Sequence, residues 1–156
     1  MTHQLAELNI AHVRADMDDP VMRGFVEGIE PVNAKAESSP GFVWRYIDGT
    51  ADDQNYAPTP WDNSYIVNLS VWQDWPTLKE FVFGELHAYY MKARREWFHP
   101  MDVPHSCLWW VPQGHQPSLE EAKAKLDQLS RQGPSAQVFT MAQLNRGQFL
   151  HPSESE

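Results

Sequence analysis

Two stretches with alternating side chains predict the central strands of a β-sheet. One runs from Leu5 to Arg14, and the other runs from Ser64 to Trp72. Alternate residues of a strand point to opposite faces. The first strand therefore has Ala6, Leu8, Ile10 and His12 on one face, and Leu5, Glu7, Asn9, Ala11 and Val13 on the other. The second strand has Tyr65, Val67, Leu69 and Val71 on one face, and Ile66, Asn68, Ser70 and Trp72 on the other.

Three stretches with helical periodicity accompany these strands. The first covers residues 20–36 and carries the apolar stripe Val21, Met22, Phe25, Val26 and Ile29, with a bend or break expected at Pro31. The second, residues 76–98, is expected to form one long helix with a kink or split at Gly84. The third begins at the capping residue Ser118 and ends before Gly133.

Shorter aromatic and β-branched runs complete the pattern. Residues 41–47 and 106–111 predict two further strands, and residues 137–141 predict a short additional one. The resulting order is β-α-β, a loop, β-α-β, then a helix and a short strand. This order indicates an α+β chain with a ferredoxin-like split βαβ arrangement and an appended C-terminal helix.

The chain is expected to form a single domain over residues 1–156. Residues 48–63 are polar and acidic, and they form an inserted loop that is either a lid over a site or a mobile hairpin connection. Residues 142–156 are expected to form a frayed tail.

Charge and composition exclude several classes of function. The formal net charge is −9 and no extended basic run occurs, which argues against nucleic acid as a partner. The single cysteine, Cys107, cannot form an intrachain disulfide. The sequence shows neither an export signal nor an apolar stretch of membrane-spanning length, so a cytoplasmic protein without membrane contact is expected.

Polar residues on the predicted strand and helix favour a small-molecule pocket between them. His87, Met91, Arg94 and Phe98 follow helical spacing and would share one face of the long helix. A sheet face bearing Asn68 and Trp72, opposite this helix face, supplies the few polar groups that such pockets need among apolar walls. Scattered histidines with no metal-ligand spacing give no indication of a metal site.

Several ordered motifs resemble one family. The segments LAELNIAHVR, SPGFVWR, VNLSVW, HAYYMKARREWF and CLWWVPQGHQPSLEEA look like those of the domain of unknown function 3291 family, over about Leu5 to Met141. That family is similar in turn to the antibiotic-biosynthesis monooxygenase-like superfamily of dimeric α/β barrels. The resemblance implies a ferredoxin-like protomer that pairs through its sheet into a homodimer. The apolar face of Tyr65, Val67, Leu69 and Val71 is the surface expected to pair.

The resemblance also implies candidate site residues. Cofactor-independent monooxygenases of the superfamily carry an Asn and a Trp four residues apart on this strand, which Asn68 and Trp72 match. Haem-degrading members carry a pocket Asn on the first strand, which Asn9 resembles, but no histidine here matches their haem ligand cleanly. His87 is the candidate ligand if haem binds.

The sequence thus leads to a monooxygenase-like enzyme acting on a hydrophobic aromatic small molecule, without a cofactor. Candidate catalytic residues are Asn68 and Trp72 as donors to an oxyanion, His87 as a base, and Arg94 as a clamp for an anionic oxygen. Candidate substrate-binding residues are Asn9, Trp44, Met91 and Trp97. Two alternatives stay open: a non-catalytic ligand-binding or dimeric interaction protein of the same fold, and a haem-binding or haem-degrading protein.

Overall fold

An antiparallel sheet lies between two layers of helices in the computed structural model, which describes residues 2–47, 60–61 and 64–152. The strands in these ranges are β1 (His3–Val13), β2 (Phe42–Arg45), β3 (Tyr65–Trp72), β4 (Phe98–His99) and β5 (Ser106–Pro112). The helices are α1 (Arg23–Ser38), α2 (Trp75–Val82), α3 (Glu85–Lys92), α4 (Arg94–Trp97), α5 (Leu119–Gln132) and α6 (Met141–Asn145). A 3₁₀ turn, Pro20–Met22, precedes α1.

The strand order gives the predicted ferredoxin-like topology. The order β2-β3-β1 continues with β5, which pairs with the first part of β1, while β4 pairs with the end of β1. All of these pairs are antiparallel. β1 and β2 are connected through α1 but have β3 between them in the sheet, and β3 and β5 are connected through helices but have β1 between them. This is the split βαβ arrangement. The fold is α+β, as the sequence predicted.

One face of the sheet packs against α5. The shared core contains Ala6, Leu8, Ile10, Val67, Leu69, Val71, Cys107, Trp109 and Val111 from the strands, with Leu119, Ala122, Leu126 and Leu129 from the helix. The expectation that the apolar face of β3 is left exposed for a partner chain was wrong, because Val67, Leu69 and Val71 are buried within the chain, in the core shared with α5.

The predicted long helix is divided into three. Gly84, with φ −72° and ψ 161°, separates α2 from α3, which agrees with the low helix propensity of glycine. A second break falls at Ala93, and Phe98 begins a strand instead of ending a helix. Arg14 donates from its backbone nitrogen to Trp97 and from Nε to Arg95, both 2.8 Å. These contacts satisfy carbonyl groups at the end of α4.

Two other local expectations also need correction. Helix α1 has no break at Pro31, and the stripe that lines the cavity lies on both sides of this residue. The first part of the expected tail is held to the protein as far as Phe149: Leu144 of α6 is buried, and the carbonyl of Phe149 accepts a hydrogen bond from Trp110 Nε1 at 3.0 Å. The predicted lid or hairpin loop, 48–63, lies almost entirely outside the described residues.

Within the described ranges, none of the helices combines the length and apolarity needed to cross a bilayer.

Candidate functional site

A cavity of about 340 Å³ lies between the other face of the sheet and the helices α1, α3 and α4. Its floor is the face of β1 and β3 on which polar and apolar side chains mix. Its roof includes a stripe of α1 at helical spacing, formed by Phe25, Gly28, Ile29, Val32, Asn33 and Ala36. The volume is at the lower end of the range for drug-sized ligands.

The register of the strands arranges the floor in transverse rows. Leu5 lies opposite Trp72, and Trp72 lies opposite Phe42. The next row joins Glu7, Ser70 and Arg45. The row after it joins Asn9 and Asn68. Since residues in register share a face, the polar side chains of three strands meet on one surface inside the cavity.

Hydrogen bonds on this floor converge on the carboxyl group of Glu7. Asn9 Nδ2 donates to Glu7 Oε2 at 2.8 Å, and Asn68 Nδ2 donates to Asn9 Oδ1 at 3.4 Å. From the other side, Trp72 Nε1 donates to Ser70 Oγ at 3.1 Å, and Ser70 Oγ donates to Glu7 Oε1 at 3.4 Å. We call Asn68, Asn9, Glu7, Ser70 and Trp72 the Glu7 network. The two residues predicted at four-residue spacing, Asn68 and Trp72, are its two ends.

Glu7 has an ionisation equilibrium unlike that of a surface carboxyl. Its side chain is 8% exposed, and it is the one polar or charged residue among the buried residues of the described part of the chain. Burial raises its pKa from 4.5 to about 7, against the opposing effect of the hydrogen bonds from Asn9 and Ser70. A carboxyl with this pKa can accept and return a proton near neutral pH.

The wall opposite the floor brings together most of the residues predicted on the long helix. His87, Met91, Arg94 and Trp97 all line the cavity, even though the helix is interrupted between Met91 and Arg94. Burial lowers the pKa of His87, which favours the neutral imidazole, and a backbone hydrogen bond to Val82 opposes this effect. Arg94 lies near an opening, where its Nη2 is 3.5 Å from His105 Nε2.

Trp44 does not line the cavity, contrary to the prediction that it binds substrate. It packs against the core on the α5 side of the sheet, in register with Val71. The reason is an irregularity in the pairing of β2 between Phe42 and Trp44. An extra residue in one strand reverses the faces of those that follow, so Arg45 takes the cavity side.

The cavity residues that the sequence interpretation missed include Glu7, Asn33 and Arg45. Glu7 did carry a signal, because it is an acidic residue on the same strand face as Asn9 in an otherwise apolar strand. Arg45 carried none, since simple alternation assigns it to the wrong face. Asn33 lies on the α1 stripe beyond Pro31, where the sequence predicted a bend or break.

Close packing between α1 and α3 fixes one wall, and it yields a testable prediction. A Cβ atom placed on Gly28 would lie 2.4 Å from Cε1 of Tyr90. Gly28→Ala should therefore lower the free energy of unfolding by about 1–3 kcal/mol through overpacking, measured by urea denaturation. In a Tyr90→Leu background the same substitution should cost much less; an equal cost in both backgrounds would contradict this account.

In the part of the chain that the structure describes, no group of three or more His, Cys, Asp or Glu side chains is placed to bind a metal ion. The residues also fit haem poorly, because a cavity of about 340 Å³ is small for a macrocycle of four pyrrole rings. His87, the candidate axial ligand, shares this space with Tyr90, Met91 and Trp97.

The fold and the cavity together define a class: an α+β protein whose ferredoxin-like sheet and helices enclose a cavity the size of a small organic molecule. The chain belongs to the family described as Domain of unknown function (DUF3291), whose model matches residues 4–153. The motif resemblance drawn from the sequence is thereby confirmed. No curated protein is significantly similar to the chain in sequence.

Eighteen solved chains are significantly similar in structure. A Nitrosomonas europaea protein provisionally named an antibiotic biosynthesis monooxygenase is 14% identical, with 74% of this chain and 92% of that chain covered and a TM-score of 0.48. SnoaB, a cofactor-independent oxygenase from Streptomyces nogalater, is 14% identical, with 72% and 95% covered and a TM-score of 0.46. Rv0793 from Mycobacterium tuberculosis is 10% identical, with 74% and 99% covered and a TM-score of 0.49. These likenesses add no argument about function, and the fold assignment rests on the strand order of this chain.

Proposed function

We propose that this protein is an enzyme that binds a largely apolar, aromatic small molecule in the cavity and removes a proton from it with Glu7. The observation that supports this most directly is the buried carboxyl of Glu7, with a pKa of about 7, at the centre of a hydrogen-bond network on the cavity floor. A carboxylate with a purely structural role is more often exposed or paired with a cation. Glu7 is buried, and the network around it consists of uncharged groups, which favours a role in catalysis.

The cavity walls favour an aromatic substrate. Phe25, Phe42, Phe81 and Trp97 line it, and Phe81 stacks on Trp72 with ring centroids 5.2 Å apart. Aromatic side chains prefer offset-stacked or edge-to-face contacts with other rings. A flat substrate of two or three fused rings would use these contacts and would suit the volume.

Following the motif resemblance to monooxygenases, we take oxygenation by dioxygen as the reaction, with no cofactor. Glu7 accepts a proton from an acidic C–H of a phenol-like or anthrone-like substrate, and the electron pair left behind spreads into the ring system. The carbanion forms a C–O bond to dioxygen, and Glu7 returns the proton to the peroxide. Cleavage of the O–O bond with loss of water then gives a ketone or quinone, so that R₂CH₂ + O₂ becomes R₂C=O + H₂O.

The other predicted catalytic residues take distinct parts in this scheme. The amide of Asn68 lines the cavity and is the candidate donor to the oxyanion that develops on the substrate. The indole N–H of Trp72 is engaged with Ser70, so Trp72 acts through Ser70 by positioning Glu7. His87 and Arg94 line the opposite wall and would contact substituents of the substrate.

The decisive experiment measures oxygen uptake and product formation with anthrone-type and naphthol-type compounds. Wild-type protein should turn over at least one of them, and Asn68→Ala should lower the rate by about 10²-fold through loss of one oxyanion donor. Asn145→Ala, on the exposed end of α6, is the matched control and should be unchanged. In D₂O without oxygen, the protein should still accelerate exchange of the acidic C–H.

The two alternatives predict different results in the same assay. A non-catalytic binding protein would bind these aromatic compounds without oxygen uptake and without accelerated exchange. A haem protein would show a saturable Soret band on titration with haem, which His87→Ala would abolish. Either result would overturn the proposed reaction.

A further inference from the structure

Three buried nitrogen atoms in the cavity wall lack hydrogen-bond partners. They are Asn33 Nδ2, Arg45 Nη1 and His87 Nδ1, and in the described part of the chain they are all the buried side-chain polar atoms of this kind. All three residues line the cavity described above. Buried polar atoms in folded proteins almost always have partners, so three exceptions around one cavity indicate a polar ligand, and the N–H groups of Asn33 and Arg45 require acceptor atoms on it.

Their contacts place all three residues beside the C-terminal half of α1. Arg45 Nε donates to Glu37 Oε2 of α1 at 2.7 Å. Asn33 precedes Glu37 by four residues on α1 and therefore shares its face. His87 borders a second cavity together with Lys35 and Ser39, so it lies beside the same half of α1. We call Asn33 and Arg45 the donor cluster, and His87 lies on its border.

The donor cluster fits a single negative charge. Arg45 is the cationic member, and Glu37 already engages one edge of its guanidinium group. A dianion such as a phosphate monoester would need further cations, whereas a carboxylate matches the remaining edge of one guanidinium group with the neutral amide N–H of Asn33 beside it.

Arg45 and Glu7 occupy the same transverse row of the floor, with Ser70 between them. Two strand spacings separate their Cα atoms, or about 10 Å. We infer that the substrate is an organic acid: an aromatic molecule whose carboxylate binds the donor cluster while its acidic proton lies at Glu7. The second half of this statement rests on the proposed function; the carboxylate site stands on the unpartnered donors alone.

Equilibrium binding tests the carboxylate site without requiring turnover. Isothermal titration calorimetry at neutral pH would compare naphthoic acid with its primary amide, which has the same ring system and no charge. Wild-type protein should bind the acid at least tenfold more tightly than the amide. The ratio should fall to about one in Arg45→Gln and take an intermediate value in Arg45→Lys, because lysine keeps the charge and loses the planar pair of donors.

Two further variants separate binding from a structural role of Arg45. Glu37→Gln removes the ion pair but keeps the guanidinium group, so the preference for the acid should persist or increase. Arg131→Gln, exposed on α5, should leave the ratio at the wild-type value. A preference lost in Glu37→Gln as fully as in Arg45→Gln would show that the ion pair matters for structure, and it would overturn the inference.

Other outcomes also decide the matter. Equal affinity for acid and amide in the wild-type protein would overturn the carboxylate site and leave the proposed proton transfer standing. A preference for the acid that depends on Arg94 and not on Arg45 would place the anion-binding site at the opening. It would contradict the assignment of this site to the donor cluster. Tight, Arg45-dependent binding of the acid with no oxygen uptake or exchange would support the carboxylate site while the proposed reaction fails.

Discussion

Glu7→Gln should lower turnover by about 10²- to 10⁴-fold, the usual contribution of a positioned general base. The amide of glutamine can keep a hydrogen bond from Asn9 and can donate to Ser70, but it cannot accept a proton from the substrate. In the wild-type protein, kcat/KM should rise with pH through about 7, as the carboxyl of Glu7 loses its proton. The residual activity of Glu7→Gln should lack this rise, and a variant that kept wild-type activity would remove Glu7 from the reaction.

The same variant tests the ionisation of Glu7 through stability, independently of any substrate. Because burial raises the pKa of Glu7, the folded protein binds its proton more tightly than the unfolded chain does. The contribution of Glu7 to stability is therefore fully present below pH 4.5 and is lost as the pH rises to about 7. From the shift between these two values, the loss is about 3 kcal/mol.

Urea unfolding at about pH 5 and about pH 8 would measure this effect as a difference between variant and wild type. The free energy of unfolding of Glu7→Gln minus that of the wild type should increase by about 2–3 kcal/mol from the lower to the higher pH, because only the wild type loses stability. Contributions from histidines common to both proteins cancel in the difference. A difference that is independent of pH would mean that the pKa of Glu7 is ordinary, and a carboxyl of that kind would be a poor base at this position.

Alternation along β1 and β3 was sufficient to predict which side chains share a face. It put Asn68, Ser70 and Trp72 together and placed Glu7 beside Asn9, and the structure joins these five residues in one network. What alternation could not supply is the register between strands. Register decides that Glu7 lies opposite Ser70, and thus that the network converges on a carboxyl group.

The errors came from interactions between residues distant in sequence. The irregular pairing of β2 with β3 exchanges Trp44 for Arg45 on the cavity floor, and no local pattern in GFVWRYI signals it. Arg14, which directly follows β1, contacts the end of α4 more than eighty residues away, where the sequence predicted a continuous helix. The predicted site residues His87, Met91 and Trp97 still line the cavity, because tertiary packing turns α3 and α4 toward it.

The largest error concerned the apolar face of β3, and it leads to the prediction with the largest effect on stability. Leu126 of α5 is 5% exposed and belongs to the core that contains Val67, Leu69 and Val71. Replacing a buried leucine with alanine costs about 2–5 kcal/mol, and an unpaired buried charge adds several more. Leu126→Asp should therefore lower the free energy of unfolding by more than about 5 kcal/mol, which is comparable to the whole stability of many domains.

Ala124→Asp is the matched control, since it adds the same charge to the same helix at an exposed position. It should lower the free energy of unfolding by only about 1 kcal/mol, through the lower helix propensity of Asp and its repulsion by Glu120. Urea unfolding gives the stabilities, and light scattering gives the mass of each variant. If the wild-type protein is a dimer and Leu126→Asp changes neither its mass nor its stability, a partner chain rather than α5 covers β3. If Leu126→Asp unfolds or aggregates while Ala124→Asp stays folded with the mass of the wild type, α5 is the cover, and any dimer forms elsewhere.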